Sequence, residues 1–382
     1  MRIQTVDHRL VRAPFVIPVE WGSGTRLGAT RLVARIETYE GVVGWGETQC
    51  LIDSTPAAFG AAARIAEGYD VRDVERFQRH VLGAGYYHHA RAAVYAIAAI
   101  EMAMWDAFGR AIDQPLWALW GGRWRDRVVA TGYVFAADPG EARRQLRRHA
   151  DAGHDAFKVK IGMGPTSDLR LAEAAREEVG DADLRLDVNG AWTRATARRQ
   201  LDRLGEMRPD WIEQPLELSD LAGTAHLRRC QPIPLVADES AYLLTDVAAV
   251  IGAEAADAVL LDPHQAGGLW QAIKAAAVCE ARGVPVGLHS GGELALSQSA
   301  YLHLAAAIPN MTLPIDTEQP WLGADIARHP PRLSDGGFGV PEGPGLGVEV
   351  DEALLDAITV DAIEGAYLDA ARPDWFPTKP AY

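Results

Sequence analysis

Four short runs, AFKVKIG (156–162), LRLDVNG (184–190), DWIEQP (210–215) and IPLVADES (233–240), follow one another at nearly even spacing. Each is rich in β-formers, ends on charged or turn-forming residues, and precedes a longer amphipathic stretch of alanine, arginine and leucine. The same texture begins at VVATGYVF (128–135) and continues through DAVLLDPH (257–264), VPVGLHS (284–290) and MTLPIDTE (311–318). Eight β-then-α units of about 25 to 30 residues predict an α/β fold whose parallel strands close into a (β/α)8 barrel. An open doubly wound sheet would carry a glycine-rich phosphate turn early in the unit series, and none occurs.

Residues capable of chemistry fall once per unit: Lys160, Asp187, Glu213, Asp238, Asp262, His289 and Asp316, separated by 24 to 27 residues. Each stands at the end of a β-like run, where a (β/α)8 barrel presents its active site. Any single acidic residue after a strand is more often a helix N-cap than a ligand; the repeated register is what brings them to one mouth. Asp187, Glu213 and Asp238 are three carboxylates on successive units with no matching set of cations. Like charges on one rim repel unless a divalent cation neutralises them, and all-oxygen ligands suit Mg2+, with Mn2+ able to substitute. The competing reading is three separate caps or ion pairs to barrel lysines. Lys158 and Lys160, two apart on a strand, face the same side. Lys160 is expected to have its pKa lowered for use as a base, and Lys158 to stay cationic against a substrate carboxylate. Asp262 and His289 lie on adjacent units, so Asp262 is expected to hold the imidazole in one tautomer.

Outward from the barrel, RLVARIETYEGVVGWGE (31–47) alternates around a Glu40-Gly41 turn and predicts a hairpin in an N-terminal sheet-bearing lobe. The alanine-rich stretch 90–119 fits two packed helices broken near Asp113-Gln114-Pro115. The 37 basic and 52 acidic residues give a formal charge of −15, which disfavours nucleic acid and anionic membranes as partners. Three widely spaced cysteines (Cys50, Cys230, Cys279) point to neither disulfides nor a zinc ribbon, and a reducing cytoplasm is expected. No secretory leader and no membrane span are read in the sequence.

The motifs KVKIG (158–162), RLDVNGAW (185–192), WIEQP (211–215), VADES (236–240) and DPHQAGG (262–268), with the early hairpin and PEGPGLGVEV (341–350), resemble the mandelate racemase and muconate lactonizing enzyme branch of the enolase superfamily. The resemblance implies a modified (β/α)8 barrel under an α+β capping domain built from the N-terminal region and the C-terminal tail. The domains are then 1–122 (cap), 123–323 (barrel) and 324–382 (tail). It further implies that Asp187, Glu213 and Asp238 bind Mg2+, with Glu239 in reserve as third ligand. Lys160 would be one acid/base and the His289-Asp262 pair the other. Asp262 occupies the position five before Gly267-Gly268 where the muconate lactonizing type has a lysine, which favours Lys/His chemistry. DVNGAW, LLDPH, GLHS and PIDT are most similar to glucarate dehydratase-like members. Substrate choice is assigned to lid loops 15–28 and 48–55, the first able to move through Gly22, Gly24 and Gly28 and carrying Trp21 and Arg26. Arg26 is expected to clamp a distal substrate group, Asn189 to touch substrate or the catalytic lysine, and Tyr133, Asp316 and Glu318 to be further substrate contacts.

Together these features predict Mg2+-dependent removal of the proton α to a carboxylate. Dehydration of a sugar acid to a 2-keto-3-deoxy acid is favoured over racemisation or epimerisation by Lys160 and His289 acting on opposite faces. The partner is a small carboxylic acid and the chain is expected to form a homo-oligomer. A barrel kept only for binding a small acid is the reading from another class, and it would have no use for both bases.

Overall fold

The computed structural model describes residues 1–21, 24–85, 90–363 and 381–382, with the side chains of residues 20–24 outside that set. The N-terminal lobe opens with a three-stranded antiparallel sheet, β1 (Ile3–Trp21), β2 (Gly24–Thr38) and β3 (Val43–Gln49). The β2–β3 turn falls at Tyr39-Glu40, with Gly41 at φ 81°, as the alternation predicts. Helices α1 (Ser54–Ala66) and α3 (Ala90–Ala111) pack on the sheet, and α2 (Val74–Gly83) packs on those two helices. A Cβ at Gly44 or Gly46 would collide with the backbone of α3 at Ala103 and Ala99. Glycine on the strand and alanine on the helix therefore set how closely the two backbones approach.

α3 is long and apolar enough to cross a membrane, but 83% of that window is buried inside the protein, as in a core helix. Residues 90–119 form two packed helices, this long one and the four-residue α4 (Leu116–Leu119), as the sequence predicts. The break falls where Asp113 adopts φ 54° ahead of Pro115.

After β4 (Arg127–Val129), a parallel sheet runs through β5 (Gly132–Val134), β6 (Ala156–Lys160), β7 (Asp183–Asp187), β8 (Trp211–Glu213), β9 (Leu235–Ala237), β10 (Ala258–Leu261) and β11 (Val286–Leu288), each hydrogen-bonded to the next. Helices α5 (Pro139–Asp151), α6 (Pro165–Val179), α7 (Arg194–Leu204), α8 (Leu221–Cys230), α9 (Leu244–Gly252), α10 (Pro263–Ala266), α11 (Leu269–Glu280) and α12 (Ala295–Ala307) alternate with the strands. Their starts obey local chemistry: Asp138 caps α5 ahead of Pro139, Thr193 caps α7, and Asp220 caps α8. The eighth position is filled by residues 313–316. Leu313 N donates to Val286 O and Asp316 N to Leu288 O on one side; Ile315 pairs with Val129 and Thr131 on the other. That segment closes the barrel.

The chain then runs beneath the barrel, where β12 (Leu333–Ser334) and β13 (Gly337–Gly339) extend β4. It returns to the N-terminal lobe through α13 (Glu352–Ala357), and Val360 N donates to Leu10 O on β1. One apolar core joins the lobe to the half of the barrel around β9–β11, and a second fills the shell around β5–β8.

Candidate active site

Parallel register brings the charged strand ends together. Lys158 pairs with Arg185 and Lys160 with Asp187 across β6–β7, and Asp187 pairs with Glu213 across β7–β8. Lys158, Asp187, Glu213 and Asp238 are fully buried and Lys160 is nearly so. Lys160 Nζ is 2.5 Å from Asp187 Oδ2 and 3.0 Å from Asn189 Oδ1. Lys158 Nζ is 2.5 Å from Glu213 Oε1, 2.6 Å from Asp316 Oδ2 and 3.3 Å from Asp187 Oδ2. Tyr133, in register with Lys158, lays its ring 4.8 Å from Lys158 Nζ and 5.4 Å from Lys160 Nζ, within cation–π range.

The electrostatics follow from this packing. Burial acts to lower the Lys160 ammonium, but Asp187, Tyr133 and Glu213 together outweigh it and the net shift is upward. The lowered Lys160 pKa expected from the sequence is thus not found in this arrangement, because the lysine is held by a carboxylate. Burial pushes Glu213 well up, and the Asp187 and Asp238 charges push it further. Burial also acts to lower His289, yet Asp238 and then Asp262 carry it up to about 10.

His289 Nδ1 lies 2.9 Å from Asp238 Oδ2, so its bonded carboxylate is Asp238 and not the expected Asp262. Asp262 instead caps α10: Oδ1 accepts from His264 N (2.8 Å) and Tyr301 Oη (3.3 Å), and Oδ2 accepts from Gln265 Nε2 (2.8 Å). A Pro at the first helical position makes this Asp a strong N-cap, which competes for the oxygens the histidine would need.

Two further expectations are corrected. Asp316 does not line the mouth; it lies fully buried, accepting from Thr131 Oγ1 (2.7 Å), Arg185 Nη1 (3.4 Å) and Lys158. Nor is Arg26 on an open loop. Residues 15–21 and 24–28 extend the β1–β2 hairpin, and Arg26 is buried with Nη2 donating to Glu318 Oε1 at 2.5 Å. Gly28 serves close packing, since a Cβ there would stand 2.7 Å from Ala13 O. Glu318, also expected to meet substrate, is therefore engaged through one oxygen with the lid. Trp21's side chain and Gly22 lie outside the described residues. Asn189, at φ 48°, receives the Lys160 ammonium and donates to Glu239 Oε1 (3.0 Å), so it contacts the lysine as expected.

Thr131 and Arg185 were not anticipated. Arg185 precedes Asp187 by two on β7, a same-face spacing that could have revealed it. The mutual contact of lid and barrel across Arg26 and Glu318 had no comparable signal, since it joins positions 292 residues apart.

The residues can be tested for a divalent cation on their own chemistry. As they stand, no three carboxylate, imidazole or thiolate groups among the described residues surround one point, and Lys158 bridges Asp187, Glu213 and Asp316. Yet Glu213 Oε2 and Asp238 Oδ1 are buried without a hydrogen-bond partner. Orphaned carboxylate oxygens on adjacent strands are costly unless a cation meets them, so the donor set fits a hard divalent ion.

Comparison with known proteins agrees with this architecture. The family described as mandelate racemase / muconate lactonizing enzyme, N-terminal domain, matches residues 3–121, and enolase C-terminal domain-like matches residues 141–354. The chain belongs to the mandelate racemase / muconate lactonizing enzyme family of the enolase superfamily. Curated relatives include racemases, cycloisomerases and a dehydratase. N-succinyl-L-Arg/Lys racemase of Bacillus cereus is 28% identical, covering 94% of this chain and 98% of that protein. Probable glucarate dehydratase of Streptomyces coelicolor is 27% identical over 90% of each. An enolase from Thermobispora bispora, solved with magnesium and formate, superposes with a TM-score of 0.87 at 29% identity, covering 94% of this chain and 92% of that one. The chain is thus an enzyme of this superfamily, whose relatives act on small acids.

Proposed function

We propose that this enzyme removes the proton α to the carboxylate of a hydroxylated small acid, a sugar acid, and then expels the β-hydroxyl to give a 2-keto-3-deoxy acid. One observation carries the reading. Lys160, ending β6, and His289, following β11, flank the strands that bear Asp187, Glu213 and Asp238. A substrate carboxylate directed at those three residues would have a proton-transfer group on each side.

Asp187, Glu213 and Asp238 would hold Mg2+, with Asp238 preferred over Glu239 because Asp238 is fully buried, whereas Glu239 is half-buried and accepts from Asn189 Nδ2. What the ion supplies when bound is positive charge opposite the carboxylate oxygens as the α-carbon gives up its proton. Lys160, now paired with Asp187, would be released from that carboxylate when Asp187 serves as a metal ligand, and its amine could then act as base. Lys160 then takes the α-proton, and the C–O bond at the β-carbon breaks. His289, kept basic by Asp238, donates its proton to the departing hydroxyl. Water is the leaving product, and the remaining enol becomes the 2-keto acid by taking a proton at C3. Tyr133 shields both lysines from water on the β5 side.

The N-succinyl-L-Arg/Lys racemase relative favours a second outcome, in which His289 returns a proton to the opposite face of the same carbon. Incubating mono- and diacid sugars with the enzyme and Mg2+ in D2O separates the outcomes. Dehydration yields a 2-keto acid. Epimerisation yields α-deuterated acid without it. If the whole panel gives neither, the proposal fails.

A further inference from the structure

Tyr382 sits beside the catalytic face although it is distant in sequence from every other residue there. Its hydroxyl donates to Asp168 Oδ2 (2.6 Å) and accepts from Gly164 N (2.9 Å) and from Trp192 Nε1 (3.3 Å). Its backbone closes a two-way clasp: Tyr382 N donates to Ala191 O (3.1 Å), and Thr193 N donates to Tyr382 O (2.9 Å). The ring packs against the apolar core around β5–β8.

The residues it grips belong to two loops. The first, residues 161–164, begins immediately after Lys160. Asp168, fully buried, gathers it by accepting from Gly162 N (2.8 Å), Met163 N (2.9 Å) and Gly164 N (3.3 Å). The second, residues 188–193, begins immediately after Asp187 and carries Asn189, whose Oδ1 receives the Lys160 ammonium. Trp192 Nε1 also donates to Asp168 Oδ2 (3.0 Å), so the two loops already meet at one carboxylate. Tyr382 adds a second joint at that point and ties it to the backbone at Ala191 and Thr193. On the His289 side, among the described residues, the loop is held by Ser290 and Glu293 within itself, by Glu318 N on Ser290 Oγ, and by Arg26 and Arg31 on Gly291 O, with no contact from Tyr382.

We propose that Tyr382 is a positioning residue for Lys160, acting through the Asp168–Trp192 joint to fix the 161–164 and 188–193 loops and so the angle at which the lysine meets substrate. It touches neither substrate nor the reacting groups. The proposal deepens, and rests on, the two-sided proton-transfer reading given above. A misplacement of about 1 Å in such a group costs on the order of 10²-fold in rate.

Tyr382→Phe keeps the ring and removes the three hydroxyl contacts; Tyr382→Ala removes both. Amide hydrogen exchange, followed by mass spectrometry, needs no substrate. In the Phe variant, peptides spanning 161–168 and 188–196 should exchange several-fold faster, and those spanning 286–294 should be unchanged. Equal protection of all three segments in the variant and the wild type overturns the proposal. With an exchanging pair of epimers, the variant should lose several-fold in kcat for α-deuterium exchange on the Lys160 face, with KM and the His289 face near wild type. Equal loss on both faces assigns Tyr382 a general stabilising role and also overturns the proposal. If the wild type with Mg2+ exchanges neither face of any acid, the two-sided reading has failed, and amide exchange alone decides the positioning role. Should the Ala variant fail to fold, the Phe variant carries the test.

Discussion

Two buried ionic networks lie within this molecule, one where the lid lobe meets the barrel and one inside the barrel mouth, and they are built to opposite specifications. At the junction, Arg31 of β2 donates from Nε to Glu47 Oε1 (2.6 Å), from Nη1 to Gly291 O (3.3 Å), and from Nη2 to His264 Nε2 (2.8 Å) and Ser297 Oγ (3.2 Å). Glu47 also accepts from Leu294 N and Ser297 N, so each guanidinium nitrogen and both carboxylate oxygens are matched. The unmatched buried atom in this group is His264 Nδ1 on a ring that burial and Arg31 hold neutral, down to about 3. At the mouth, by contrast, the unmatched atoms include two carboxylate oxygens, Glu213 Oε2 and Asp238 Oδ1, with Arg185 Nε beside Asp316. A complete network fixes two domains; one that leaves buried carboxylate oxygens without a partner fits a cation. Burial alone does not distinguish the two.

The largest effect that would break this comparison is on turnover. Lys160→Ala and His289→Asn should each lower product formation by about 10³-fold or more, since each removes a proton-transfer group. Steady-state assay on the identified substrate checks this, and near-wild-type turnover in both would return the mouth to scaffold.

Stability should show the reverse ranking. Glu47→Gln leaves Arg31 buried without its counter-charge and should cost about 3–5 kcal/mol in urea unfolding. Glu213→Gln removes a charge that Asp187 and Asp238 repel, so metal-free protein carrying it should be as stable as wild type or more so. If the two substitutions cost the same, the distinction between the networks is unsupported.

Much of this was legible in the sequence, and the boundary is physical. The barrel could be read because each strand must bring its active residue to one rim, which imposes a regular spacing from Lys160 to Asp316. Same-face spacing placed Lys158 with Lys160. What could not be read were choices among competing partners. Asp262 can serve His289 or cap α10, and the backbone N–H of His264, two residues on, wins. Asp316 carries the same spacing as the other rungs, but its strand closes the barrel, so its side chain falls among Lys158, Arg185 and Thr131. Glycines at 22, 24 and 28 suggested a mobile loop, whereas cross-strand pairing from Val19–Arg26 to Trp21–Gly24 carries the hairpin onward. Long-range pairs such as Arg26–Glu318 leave no local pattern.

The matched side also predicts a pH response. His303 accepts from Trp117 N (3.4 Å) at Nδ1 and faces Leu346 O (3.2 Å) through Nε2, and burial lowers it to about 4. A histidine whose folded pKa lies below its unfolded value of 6.5 contributes stability that is present above pH 6.5 and lost as pH falls toward 4. The loss should reach about 3 kcal/mol, at roughly 1.4 kcal/mol per unit. His303→Gln should flatten the unfolding free energy across that window, and an unaltered slope would exclude His303 as its source. The smallest effect is expected at the lid: Arg26→Met should raise KM by about 2- to 10-fold with kcat nearly constant, as loss of uniform binding does. An unchanged KM would confine Arg26 to holding Glu318.

The central claim, that the mouth's unmatched carboxylates exist for a divalent cation, is tested most directly by calorimetric titration of metal-free protein with Mg2+. One site per chain is predicted in the wild type, retained in Glu47→Gln protein that remains folded and lost in Asp187→Asn and Asp238→Asn. Absence of saturable Mg2+ binding in the wild type, or equal binding in all four proteins, would contradict it.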